Sequence, residues 1–529
     1  VSWRWAIAGL LLVASQAAIG ALLVSGASPQ RLRVELSGEP DDATVPPGLR
    51  ERVERTVDGV AVGELGHLAS LEGQGPGIRR VEWAVRYRGG FERRVGLSRL
   101  VGPFQSATDP PCGVRVHLGQ ALLDDGRAGP GTLAHLAKKA VGRALSGTRA
   151  IGVGRFERVE RLALRWSDRR GGSLEVWAAL QYRRARVPLL VVATPRLADG
   201  RVRWKTRTRV NVRVDNRTVA WVLDAVGLQP YIDEEATEIG AEHVAAVAAA
   251  LSSASQTLPP IELGDLGRVR VAYCDEPISI QPDVAATIPM RVLLPPAKGG
   301  NAFSGPVAFG RDASPEPDPE VSIGIDIDLD TLNAVAFQLY DSGALDRALE
   351  SVDPGQWFNQ SAVVRRFLSL RVGDVRLAMP PVIEHRPTAG AAAGPFSLAL
   401  EAKITLEDGG LRTPARLFSR IGFGLGERPG PGLLSEFAVD ELQLTCRPTM
   451  SVLEPCYGAI VSAVRGRTSE LFEPVSTYLG EALAQWTRQR RWEIAGGNGS
   501  FAIEDARVGN FVKGRSVWLR FRASALFLP

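Results

Sequence analysis

The sequence predicts an α+β protein in which one order of elements occurs twice: strand, helix, meander of strands, long helix, closing strands. Three observations predict it. The stretch 321–345, VSIGIDIDLDTLNAVAFQLYDSGAL, changes its apolar period from 2 to 3.6 in mid-run. The same order of periods can be followed from Cys112 and again from Val321. Between the copies lies 295–320, rich in Pro, Gly and acid and without any period, which reads as a boundary.

In chain order, 6–24 is an uncharged run of 19 residues behind Arg4, long enough to cross a bilayer as a helix. Ser25-Gly26-Ala27 resembles a signal-peptidase site, so 1–27 is expected to be a signal anchor or a cleaved signal. An initial Val fits a bacterial alternative start codon. The expected location is then the periplasm, with 6–24 in the inner membrane, or secretion if the leader is removed. Residues 28–111 are an N-terminal extension or the start of the first copy. Within them 49–72 has a helical pattern and 79–89 alternates as a strand.

The first copy covers 112–295. Val114, Val116 and Leu118 alternate, and 131–147 carries Leu133, Leu136, Ala137, Val141 and Leu145 on one helical side up to Gly147. Strands are expected at 159–166, 173–183, 187–194 and 202–214, a long helix at 218–254, and closing strands at 267–274 and 290–295. The second copy, 321–529, opens with Val321, Ile323, Ile325, Ile327 and Leu329 alternating against Ser322, Gly324, Asp326, Asp328 and Asp330. Leu332, Val335, Ala336, Leu339 and Tyr340 then form a helical stripe, with Asp330 expected to cap its start and Gly343 its end. Strands follow at 370–380, 395–407 and 436–446, a long helix at 468–490, and closing strands over 501–528.

The opening of the second copy, Leu332, Asn333, Leu339, Gly343 and Leu345, resembles the start of the second barrel in the BPI/LBP/CETP-like lipid-binding proteins, the TULIP superfamily. The similarity is one of pattern over 112–529, with 28–111 as a departure. It implies two tandem barrels, each a long, highly twisted antiparallel sheet wrapped around a long helix. It also implies a slot for the acyl chains of phospholipid or lipopolysaccharide between helix and sheet. The residues it points to are Leu332, Val335 and Leu339, with Val222 and Val226 in the first long helix and Leu479 and Trp486 in the second. Periodicity cannot tell such a slot from a core filled by its own side chains. The alternative is a non-catalytic structural component of a cell-envelope assembly, with an envelope protein as partner.

On 202–214, Arg203, Lys205, Arg207 and Arg209 face away from Val202, Trp204, Thr206 and Thr208. Such a row suits lipid phosphates or a solvated outer face. The net charge of +5 over 529 residues is too small to imply nucleic acid, and no set of stacking aromatics is interleaved with the cations. Four cysteines fit an exported chain as disulfides or buried thiols: Cys446 with Cys456 by proximity, leaving Cys112 with Cys274.

No enzyme is expected. Asp326, Asp328 and Asp330 lack the Gly and Glu of a calcium loop, and the five histidines include no i, i+4 pair. The Gly-rich run Gly422–Gly426 is followed not by a phosphate-facing helix but by Glu427, Pro429 and Pro431, which indicate an exposed loop. No metal or cofactor is expected either.

Overall fold

The computed structural model describes most of residues 50–214, 261–346, 371–446 and 491–526, together with 481 and 484. Among these residues the chain is mostly antiparallel sheet with few helices, and no sheet closes into a barrel. An N-terminal sheet contains β1 (Arg50–Val57), β2 (Val60–Ala61), β3 (Gly77–Tyr87) and β4 (Glu92–Val101). Next come β5 (Val114–Gly119), helices α1 (Gln120–Leu123) and α2 (Leu133–Ala144), and the meander β6 (Arg149–Ala150), β7 (Gly154–Ser167), β8 (Ser173–Tyr182), β9 (Ala185–Ala198), β10 (Arg201–Val210) and β11 (Arg213–Val214). Returning strands are β12 (Ile261–Glu262), β13 (Arg268–Tyr273), β14 (Ser279–Gln281) and β15 (Ala285–Leu293).

The second half repeats the order. It has β16 (Ile323–Asp328), α3 (Leu329–Asp341), a meander of β17 (Arg371–Leu377), β18 (Val382–His385), β19 (Phe396–Asp408), β20 (Leu411–Leu425) and β21 (Leu434–Cys446), and returning strands β22 (Arg491–Ile494), β23 (Gly499–Phe511) and β24 (Ser516–Leu526).

The two halves meet in one nine-stranded sheet, ordered β12-β13-β15-β5-β16-β24-β23-β22 with β14 on β15. Its midline is the antiparallel pair β5–β16, where Ile323, Ile325 and Ile327 lie opposite Leu118, Val116 and Val114. Each half therefore contributes its first strand at the centre and its last strands outward. Close approach at this seam requires glycine. A Cβ at Gly119 would overlap the Val321 carbonyl oxygen, and one at Gly113 the Asp328 carboxylate. Cys112 and Cys274 form a disulfide, Cα atoms 5.9 Å apart, tying the start of β5 to the end of β13.

The first-half meander is a separate sheet, β10-β9-β8-β7-β6 with β11 on β9. Its inner face packs with α1, α2 and the central sheet in one cluster that includes Leu164, Trp166, Leu174, Val191, Ile288 and Ile323. The second-half meander, β17-β19-β20-β21 with β18 on β19, carries the N-terminal sheet on one face. Ile78, Met379, Val382, Ala399 and Phe418 pack there together with Val307. Val307, in the aperiodic stretch 296–320, bridges to Phe104 and is buried. Glu384 accepts the Ile78 amide at 3.1 Å, and Arg420 donates to the Ile78 carbonyl at 2.8 Å.

Two expectations are corrected. Residues 50–57 and 60–61 are strands rather than helix. Val53 and Val57 satisfy either period, and pairing with β3 decides. The Gly-rich run lies at the end of β20, where Gly422 and Gly424 are buried, the register against β21 shifts and small residues let the backbones approach; Glu427, just beyond it, is exposed as expected. Asp326 is not on a wet face. It is buried against His117, whose Nε2 lies 2.6 Å from its carboxylate while Nδ1 lies 2.8 Å from the Thr287 hydroxyl.

Candidate functional site

The helix that follows the central strand is where the second half departs from an ordinary amphipathic arrangement. α3 starts two residues earlier than expected, because Asp328 caps it by accepting the Thr331 amide at 2.8 Å. Asp330, expected as the cap, instead lies in the first turn and accepts the amides of Phe309 (2.6 Å) and Gly310 (3.2 Å). The end is as expected: Gly343 has φ 69° and donates to the Tyr340 carbonyl at 2.9 Å.

The buried side of α3 is largely polar. Asp330, Thr331, Asn333 and Gln338 are buried with Leu329, Ala334 and Phe337. Asn333 makes the main attachment. Its amide donates to the Ile383 carbonyl (2.9 Å) and accepts the Ile383 amide (2.8 Å), reading the free edge of β18 as a neighbouring strand would. The stripe Leu332, Val335, Ala336, Leu339 and Tyr340 is only half-buried. Tyr340 meets Phe303 edge to face at 6.2 Å between centroids. Partial burial of the Tyr340 phenol, with Asp346 and Asp341 nearby, raises its pKa above the ordinary tyrosine value. In the same half, Leu398 and Leu400 on one face of β19 are half-buried, whereas Ser397, Ala399 and Glu401 on the other face are buried.

The corresponding helix of the first half closes differently. Gln120 of α1 donates to the Leu164 carbonyl (2.8 Å) and accepts the Trp166 amide (3.1 Å). Asp124 accepts the Leu164 amide at 3.2 Å, so the edge of β7 is taken up as that of β18 is. On α2, by contrast, Leu133, Ala134, Leu136 and Ala137 are all buried in the main core. Thr132 caps this helix by accepting the His135 amide at 3.2 Å.

Of the residues singled out in sequence, Leu332, Val335 and Leu339 thus share a half-covered stripe. Val222, Val226, Leu479 and Trp486 lie outside the described residues. Lys205, Arg207 and Arg209 are exposed on β10, an edge strand, while Trp204 packs against the core on the opposite face; Arg203 is on the same strand, opposite Arg196. The structure does not bring these cations to the α3 stripe, since α3 packs on β18, β16 and β15. Cys446 ends β21, and Cys456 is outside the described residues. Sequence reading missed the attaching role of Gln120, Asp124 and Asn333. The signal available was an amide or acid one to five residues after an apolar strand. Among the described residues no group of acids, His or Cys is arranged to hold a metal ion, and no helix is long and apolar enough to cross a membrane.

No protein family matches the chain, and no curated protein does. Among solved structures it is similar to a lipopolysaccharide binding protein, at 12% identity and TM-score 0.30 over 80% of this chain and 100% of that one. It is also similar to P47 of Clostridium botulinum E1, at 8% identity and TM-score 0.23 over 78% and 98%. At these scores the likeness carries no argument.

Proposed function

We propose that the protein binds lipid through the acyl chains of phospholipid or lipopolysaccharide, without covalent chemistry, on the incompletely covered apolar wall of its second half. One observation carries the reading. α3 is fastened to the protein by Asp330 and Asn333, and leaves Leu332 and Leu339 half-covered, while Val335 packs at the edge of the main core. Water against such a stripe is unfavourable, and each methylene moved onto it from water gains about 0.8 kcal/mol. The proposal places two tandem TULIP-type barrels at 112–295 and 321–529, and the repeated strand order around β5 and β16 supports it. It also places the protein in the periplasm, tethered through 6–24 or released, and extends to carrying lipid between membranes.

Native mass spectrometry of the gently extracted full chain tests this. The expected result is a bound acyl lipid that Leu339→Glu removes while the circular dichroism spectrum is kept. A protein that is empty under these conditions overturns the reading.

A second reading has its own observation: the apolar faces of the first half are buried against one another in a single cluster. That suits an envelope scaffold. It predicts a stoichiometric protein partner in pull-downs from membranes, and damage to folding by Leu339→Glu with no separate loss of lipid.

A further inference from the structure

The outer face of the first-half meander combines basic and apolar side chains in a way that the interior does not explain. By register, one row across the sheet runs Ala163, Trp177, Leu190, Arg209, and the next runs Arg165, Glu175, Val192, Arg207. Trp177 is 45% exposed, and Leu190 and Val192 beside it are half-buried. Lys205, Arg207 and Arg209 stand at alternate positions of the edge strand, a row about 14 Å long at strand spacing.

The acids near this face are already occupied. Glu175 is buried, 2.9 Å from the Arg169 guanidinium, and accepts from Ser167 (3.0 Å) and from the Trp177 indole (3.1 Å). Asp283 pairs with Arg165, and Glu160 with Arg186 at 2.7 Å. Among the described residues, Lys205, Arg207 and Arg209 have no such acidic partner.

We infer that this face docks on an anionic lipid bilayer, with Lys205, Arg207 and Arg209 at the phosphates and Trp177 at the headgroup level. Basic side chains close to an anionic leaflet are attracted to it, and the exposed apolar body of the Trp177 indole, its N–H held by Glu175, suits that depth. Nucleic acid fits less well, since a single exposed Trp provides no succession of stacking surfaces. The inference is independent of lipid binding on α3, which is in the other half, and either can fail alone.

The test is co-sedimentation of the full chain with phosphatidylcholine vesicles, with and without phosphatidylglycerol, at low and high salt. Reading the ratio of the two affinities cancels any insertion of the apolar run 6–24, which does not depend on lipid charge. The wild type is expected to prefer anionic vesicles, less so at high salt. Substituting Lys205→Gln, Arg207→Gln and Arg209→Gln together should lower the ratio roughly 100-fold, equivalent to about 1 kcal/mol for each basic side chain. Trp177→Ala should weaken binding to both vesicle types by roughly tenfold. Lys205, Arg207 and Arg209 are exposed, so an unchanged urea midpoint is expected of the triple variant and separates docking from folding. An unaltered ratio in the triple variant overturns the inference. So does a wild type indifferent to vesicle charge, or a triple variant that loses a protein partner while keeping the ratio.

Discussion

In the first half the side-chain amide of Gln120 takes up the edge of β7; in the second, that of Asn333 takes up the edge of β18. Gln120 follows directly on β5 and Asn333 lies five residues after β16, the two strands that pair at the centre of the nine-stranded sheet. Beyond this shared attachment the halves diverge. α2 puts Leu133, Leu136 and Ala137 into a continuous core, whereas α3 turns Asp330, Asn333 and Gln338 inward with Leu329 and leaves Leu332 and Leu339 half-covered. The difference shows that equal periodicity does not mean equal burial. A helix goes where its most costly polar groups are satisfied, and the apolar stripe takes what cover remains.

The comparison breaks first, and most visibly, at the cores. Trp166→Ala should cost about 3–5 kcal/mol, because the indole is buried and its N–H donates to the Leu118 carbonyl at 2.9 Å. Urea denaturation checks this, and a loss under about 1 kcal/mol would mean that the first-half core is loose. Asn333→Ala and Gln120→Ala come next, at about 1–3 kcal/mol each, since either leaves backbone groups of an edge strand without partners. Similar losses from the two would support the shared attachment; a large loss from one alone would end it. Asp328→Ala removes the cap of α3 and should cost about 1 kcal/mol in the same assay.

Leu339→Ala sharpens the contrast between the stripes. On a half-covered stripe it should destabilise by about 1 kcal/mol or less, while its buried counterpart Leu136→Ala costs about 2–5 kcal/mol. The smallest effect concerns alkaline pH. The Tyr340 phenol keeps its proton longer in the folded than in the unfolded chain, so its contribution is fully present below the ordinary tyrosine pKa. It is lost as pH rises from there through the raised folded value. Tyr340→Phe should flatten that decline in stability measured against pH, and an unchanged slope would place the phenol in solvent.

Much of the strand ladder was legible in the residues. The alternation of Val114–Leu118 and Ile323–Ile327 marks the central pair, Leu133–Leu145 marks α2, and Gly343 marks the end of α3. The period change at 321–345 located the strand-to-helix passage within one turn, the error being that Asp328 rather than Asp330 is the cap. Local pattern also separated Trp204 from Lys205, Arg207 and Arg209 on the two faces of β10. Less of the candidate site could be read. Leu332, Val335 and Leu339 were identified as one stripe, but nothing local showed that Asn333 would hold the helix from the other side. Its partner, Ile383, is 50 residues away.

The residues by themselves determined the periods, the caps within a turn, and the order strand, helix, meander, closing strands that occurs twice among the described residues, because each depends on neighbours a few positions apart. Only the tertiary structure decided that β5 and β16 pair at the centre, that Asp326 is buried against His117, and that the N-terminal sheet lies on the second-half meander. It also decided which stripe is covered. Those outcomes depend on partners tens to hundreds of residues away, and on satisfying buried polar groups that no local window contains.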